Sequence, residues 1–136
     1  MHVRGKLMDG FLARYYIGAR VVAWIAICGV VILTVVPANE RPTFTEWWLD
    51  ERIEHLVEHF SAFALVAAAF TIGYYRISLH QLLLLALFFA AGIELLQIPL
   101  PTRHARVGDF IVDFAALCIT IVVVRLITGI GLEQRA

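Results

Sequence analysis

The sequence predicts an all-α fold: a transmembrane bundle of four helices, with a short interfacial helix in the first outer loop, forming a single membrane domain over residues 1–136. Three observations predict it. First, 61% of the residues are hydrophobic and only 16% are charged, whereas soluble domains are about 45–50% apolar and about 25% charged. Mean hydropathy is +0.83. Second, a lipid-spanning helix needs about 20 mostly apolar residues, and four stretches approach or reach that length. Third, the last three stretches are joined by segments too short for anything but turns.

The elements follow in order. Residues 1–20 form a basic segment carrying Arg4, Lys6, Arg14 and Arg20. The first span runs from about Val21 to Val36 and can be extended back to Tyr15. It starts late, behind basic residues, and is too long for a signal-peptide core, so no cleavable leader is expected. Pro37 and Pro42 break the helix in the connection between Pro37 and Glu58. Trp47 and Trp48 there read as an interfacial anchor on a short helix lying along the membrane. The second span runs from about Phe60 to Tyr75, with Tyr74, Tyr75 and Arg76 as an anchor at its inner end. A turn at Arg76–Ser78 leads to the third span, Leu79–Ile98. Pro99 to His104, with two prolines, leads to the fourth, about Val107–Thr128. Small residues such as Ala62, Ala67, Ala90 and Gly92 suit close packing of membrane helices.

Lys plus Arg equals Asp plus Glu at 11 each, so net charge argues against a nucleic-acid partner. Cys28 and Cys118 lie in apolar runs without metal-ligand spacing and read as small hydrophobes. Orientation follows the basic residues. With the N-terminus inside, the inner side holds Arg4, Lys6, Arg14, Arg20, Arg76, Arg125 and Arg135, and the outer side holds Arg41, Arg52, Arg103 and Arg106. The bias puts both termini in the cytoplasm.

That orientation gathers the unusual polar residues at the outer ends of the helices. A charge within a membrane span costs on the order of 2.5–3.5 kcal/mol, so these groups must face partners or water. Glu94 and Gln97 share a face of the third span at i,i+3, and Asp109 and Asp113 share a face of the fourth at i,i+4. The turn between these spans supplies Arg103, His104 and Arg106, and the helix of the second span enters with Glu54, His55, Glu58 and His59 ahead of it. Spans three and four must be antiparallel neighbours, which brings Glu94 and Asp109 to similar depth. Arg103 can fork onto a carboxylate. Two readings fit: a buried network that pins the hairpin, or a polar pocket open to the outer leaflet.

His55-Leu56-Val57-Glu58-His59 also matches H-x-x-E-H, a zinc-peptidase signature in which two histidines share the metal and the glutamate acts as base. Glu94 or Asp109 would be the third ligand. The pattern is short and lies at a membrane boundary where polar residues are expected anyway, so no metal or other cofactor is expected.

Glu94-Leu95-Leu96-Gln97, Arg103 six residues on and Asp109 six after that resemble the pattern of the VanZ-like family. His59-Phe60-Ser61-Ala62-Phe63-Ala64-Leu65 resembles that family's upstream block, and the resemblance covers about residues 30 to 125. It departs at Asp113, where the family usually has asparagine, at Ala116 in place of a glycine, and at His55-Leu56 in place of an Asp-Lys pair. The resemblance implies a multi-pass protein of the bacterial inner membrane, in a family whose founding member is linked to low-level glycopeptide resistance. It implies His59, Glu94, Gln97, Arg103 and Asp109 as the functional positions.

Three functions follow as expectations. The first is an envelope protein that binds an anionic lipid-linked or glycan ligand at the outer leaflet. Arg103 and Arg106 would clamp the anion, and Glu94, Gln97, Asp109 and Asp113 would position them or bond sugar hydroxyls. The second is an intramembrane hydrolase or transferase on a lipid-linked substrate, with His59 as acid or base oriented by Glu94 or Asp109. The third is a proton-coupled transporter component, which four spans would require to be a homo-oligomer. Expected partners are membrane lipids and a lipid-linked envelope precursor.

Overall fold

A computed structural model describes residues 2–36, 51–101 and 106–129, with side chains from Arg14 in the first segment and from Ile53 in the second. It holds four helices: α1 His2–Val35, α2 Glu51–Gly73, α3 Leu79–Gln97 and α4 Val107–Thr128. Each contains a stretch long and apolar enough to cross a membrane: Arg14–Val35, Ile53–Gly73, Leu79–Gln97 and Val107–Thr128. The chain is a multi-pass helical membrane protein. The short interfacial helix expected around Trp47 and Trp48 lies outside the described residues, as do Arg103 and His104.

Two helices start earlier than hydropathy implies. α1 continues back through the basic segment to His2, and α2 begins nine residues before Phe60. Arg, Lys and Glu are good helix formers, so the helix outruns the apolar stretch that hydropathy detects. The other boundaries have local causes. The Ser78 side chain accepts a hydrogen bond from Gln81 N at 3.4 Å, and Gln81 Oε1 accepts one from Ser78 N at 3.1 Å, a capping box that starts α3. Pro99 and Pro101 follow α3, where neither can continue it. Gly129, at φ 65°, closes α4 in the left-handed conformation that glycine adopts without a Cβ penalty.

Close backbone approach follows the cycle α1–α2–α4–α3, and the α1–α3 side is the loosest. α2 and α3 therefore sit diagonally although a short turn joins them. Small residues make the contacts: Ala23, Ala67, Ala86, Ala90 and Ala116 are all buried, with Phe63, Leu82, Ile93, Leu117 and Ile121 filling the space between. The outside is apolar as well, with Leu84, Phe88, Leu95, Ile119 and Ile127 exposed, as expected of a protein whose solvent is lipid.

At one end of the bundle, the turn between α2 and α3 is gripped from both sides. Arg20 of α1 donates from Nε to Gly73 O at 2.8 Å and lies over the Tyr74 ring. Trp24 Nε1 donates to the Tyr74 hydroxyl at 2.8 Å, and Tyr16 stacks on Tyr75. Arg125 of α4 donates to Tyr75 O at 3.3 Å and to Ile77 O. These guanidinium groups satisfy a carbonyl at the end of α2 and two in the turn beyond it, none of which has an intrahelical donor. Gly73 is required here, because a Cβ would stand 2.9 Å from the Arg20 backbone nitrogen. We call this the turn end, and the opposite end, where α1 and α3 finish and α2 and α4 begin, the polar end.

Candidate functional site

The polar end brings together residues from three helices. His59 lies about 12 Å along α2 from its start, and Asp113 about 9 Å along α4, at 1.5 Å per residue. His59 Nδ1 and Asp113 Oδ1 meet at 2.8 Å across the α2–α4 contact. The Asp113 side chain is wholly buried and that of His59 is 12% exposed. With Asp113 ionised, His59 donates from Nδ1–H to the carboxylate in either of its protonation states. In that arrangement Nε2 is the ring nitrogen left for proton exchange with anything else. The His55 ring stacks on His59 at 4.3 Å between centroids, and Phe63 lies on its other side along α2.

Glu94 takes a different role. Its Oε2 accepts a hydrogen bond from the Arg106 backbone N–H at 2.8 Å. Arg106 is the N-cap of α4 and makes no side-chain cap; the Glu94 carboxylate instead accepts the N-cap's own N–H, the bond an N3 glutamate makes in a capping box, and sits favourably at a helix N-terminus. Asp109, Asp113 and His59 all lie within electrostatic range of Glu94. Glu94 Oε1 and Asp113 Oδ2 are buried with no hydrogen-bond partner among the described residues. Buried polar atoms are normally paired, so this is a cluster with acceptor capacity to spare.

Beside the cluster a cavity of about 230 Å³ opens on the loose α1–α3 side. Its polar lining comes from Thr34, Glu58, His59, Ser61 and Gln97, and its apolar lining includes Val30, Phe63 and Ile93. Thr34 Oγ1 donates back to Val30 O at 2.8 Å, as hydroxyls in membrane helices do. Ser61 Oγ donates to Glu58 O at 3.1 Å, so its hydroxyl is engaged with its own helix.

The expected positions fall out as follows. His59, Glu94, Gln97, Asp109 and Asp113 converge at one end of the bundle. Arg106 contributes its backbone to the cluster while its side chain is exposed. Arg103 lies outside the described residues. His59 is held by Asp113, not by Glu94 or Asp109 as the sequence led us to expect. The reason is depth: α2 starts two turns early, which carries His59 inward to the level of Asp113. Among the described residues no group of three His, Cys, Asp or Glu side chains is placed to hold a metal. Arg125, at the turn end, had appeared in the sequence only as one basic residue of a loop-charge count. Its isolation in the apolar stretch from Phe114 to Thr128 is the available signal.

Fold and site together define a class: a polytopic helical membrane protein with a histidine–carboxylate cluster opening on a cavity at one end of the bundle. Comparison with protein-family models, with curated proteins and with solved structures returns no match.

Proposed function

We propose that this is a VanZ-like integral membrane protein of the bacterial cell envelope that binds the polar head of an amphiphilic ligand, lipid-linked or glycan-bearing, at the outer leaflet. The observation that carries the reading is the cavity beside His59. It lies at the polar end of the bundle and is lined by Glu58, His59 and Gln97, and His59 links it to the buried Asp113 carboxylate, whose second oxygen has no partner among the described residues. A purely structural knot needs paired groups and no adjoining space. Glu58 accepts from hydroxyls and Gln97 both accepts and donates, while the exposed Arg106 meets the anionic part of the head. The test uses purified protein and native mass spectrometry with undecaprenyl phosphate as probe. His59→Gln and Gln97→Leu, each as thermally stable as the parent, are expected to lose retention by about tenfold, equivalent to about 1.4 kcal/mol. Equal retention by stable variants refutes the reading. Altered glycopeptide susceptibility of cells lacking the protein is the matching cellular readout.

One observation favours a second reading, hydrolysis or transfer on a lipid-linked substrate. A buried carboxylate holding Nδ1–H of a histidine leaves Nε2 as the acid or base, the arrangement used in general acid–base catalysis. Turnover of the probe that vanishes in His59→Gln while binding persists selects this reading over simple binding.

A further inference from the structure

The polar groups lining the cavity beside His59 are nearly all hydrogen-bond acceptors. Thr34 Oγ1 donates to Val30 O at 2.8 Å and Ser61 Oγ donates to Glu58 O at 3.1 Å, so each hydroxyl has only lone pairs left to offer. Glu58 brings a carboxylate. Neutral His59, with its Nδ1–H on Asp113, offers the lone pair of Nε2. Gln97 is the exception, since its amide holds both a carbonyl oxygen and two N–H donors.

Two of these groups are unsatisfied. Gln97 is only 5% exposed, yet its side-chain amide makes no hydrogen bond with any described residue. The half-buried Glu58 carboxylate has no hydrogen bond or ion pair among the described residues either. Buried polar groups are normally paired, and buried charges more strictly so. The surroundings do not balance Glu58. Glu94, Asp109 and Asp113 stand at the same end of the bundle, while Arg106 is exposed and no described Arg or Lys lines the cavity. The cavity therefore lacks both donors and positive charge.

A primary ammonium supplies both, with three N–H donors and no acceptor. Other heads fall short on one count. A sugar hydroxyl donates but brings no charge, and a phosphate brings acceptors and the wrong sign. A quaternary ammonium has the charge but no donor, and is recognised by aromatic cages; Phe63 is the only hydrocarbon ring among the described lining residues. A metal ion lacks its ligands here. At about 230 Å³ the cavity is smaller than the about 300–1,000 Å³ of pockets that enclose a drug-sized ligand, so it admits a head group and leaves the rest outside.

We infer that this cavity takes the primary ammonium of the ligand's head, held by Glu58, Gln97 Oε1 and His59 Nε2. The inference rests on the head-binding reading and names the group that enters. The head is then zwitterionic, with the Gln97 N–H donors and the exposed Arg106 left for its phosphate.

Native mass spectrometry of the intact protein compares three dioleoyl lipids that differ only in the head. Phosphatidylethanolamine carries a primary ammonium, phosphatidylcholine the same charge without an N–H donor, and phosphatidylglycerol hydroxyls without a cation. The ethanolamine lipid is expected to be retained at least about tenfold better than the other two. Glu58→Gln keeps the shape and removes the charge. In a protein as thermally stable as the parent it is expected to cancel that preference, whereas Glu58→Asp keeps part of it. O-phosphoethanolamine identifies the source of the amine. Displacement of the lipid only at large excess assigns the site to a lipid head, and displacement at equal concentration assigns it to a free amine, with the ammonium site standing in both cases. Equal retention of the three lipids, or an undiminished preference in Glu58→Gln, overturns the ammonium site. If undecaprenyl phosphate is still retained through His59 and Gln97, head binding then stands. No retention of any of the four lipids overturns both.

Discussion

The contact between His59 and Asp113 makes a quantitative claim about what holds α2 to α4. The perturbation is a double-mutant cycle of His59→Ala, Asp113→Ala and the pair. The residues are 54 apart in sequence, their atoms are 2.8 Å apart, and neither is more than 12% exposed. A hydrogen bond to a charged group contributes about 1.5–3 kcal/mol in soluble proteins. Polar contacts between membrane helices average only about 0.6 kcal/mol, with a maximum near 1.7, because the unfolded helices find other partners in the membrane. Full burial of Asp113 and the charge assistance place this contact at the top of that membrane range, at about 1.5 kcal/mol of coupling. Each single variant also leaves a buried polar group without its partner, at a cost of about 2 kcal/mol. The double variant is then expected to cost about 2.5 kcal/mol rather than the 4 that independent sites would give. Reversible unfolding of the purified protein in mixed micelles measures all four corners. Additivity to within about 0.4 kcal/mol refutes the reasoning, since distant, uncoupled sites behave that way.

Three other substitutions probe the frame. Gly73→Ala drives a Cβ to 2.9 Å from the Arg20 backbone nitrogen, and thermal unfolding is expected to show a loss of about 1–3 kcal/mol from overpacking. Arg125→Leu removes the donor to the carbonyls of Tyr75 and Ile77. At about 1–3 kcal/mol per unsatisfied buried group, it is expected to destabilise the protein in the same assay without altering probe retention. Ser78→Ala deletes half of the box that starts α3, for a loss of about 1 kcal/mol.

Much of this molecule is written in its hydropathy. Where the sequence is apolar and bounded by breakers, as in Val107–Thr128, the expected and observed helices coincide. α3 differs by one residue. Hydropathy fails at the polar starts of α1 and α2, because it reports what lipid tolerates and not what forms a helix. The same error displaced the expected partner of His59, since depth in a bundle is counted from the true start of a helix. The convergence of His59, Glu94, Gln97, Asp109 and Asp113 was legible because charges in a membrane span have nowhere else to go. Pairings within the cluster were not legible: Glu94 spends one oxygen on the backbone of α4, a role that no side-chain pattern encodes. Nor was the diagonal placement of α2 and α3, which opens the cavity. It depends on which small residues meet, and alanines such as Ala67, Ala86 and Ala116 look alike in sequence.

Orientation is set by the charges that flank the spans as they insert. Of the seven basic residues counted inside, two are occupied by packing: Arg20 with Gly73 and Tyr74, and Arg125 with Tyr75 and Ile77. Subtracting them would leave the inner and outer sides nearly balanced. The subtraction is wrong in principle, because orientation is set while each span inserts, before Arg20 or Arg125 has found its carbonyls. The charges that count then are those within about 15–20 residues of the first span. Arg4 and Lys6 precede the span Arg14–Val35, and Arg14 and Arg20 lie in its first two turns at the same end, four basic residues against Arg41 and Arg52 on the other flank. Both termini are therefore expected in the cytoplasm, with the His59 cluster at the outer face. The check is labelling of intact cells by a membrane-impermeant maleimide after Cys28 and Cys118 are replaced by alanine. A cysteine at Val107, which is 77% exposed at the start of α4, is expected to react. A cysteine at Thr128 is expected to react only after lysis. The reverse pattern turns the protein over and moves the proposed head-binding cavity to the cytoplasmic leaflet, where a ligand confined to the outer face could not reach it.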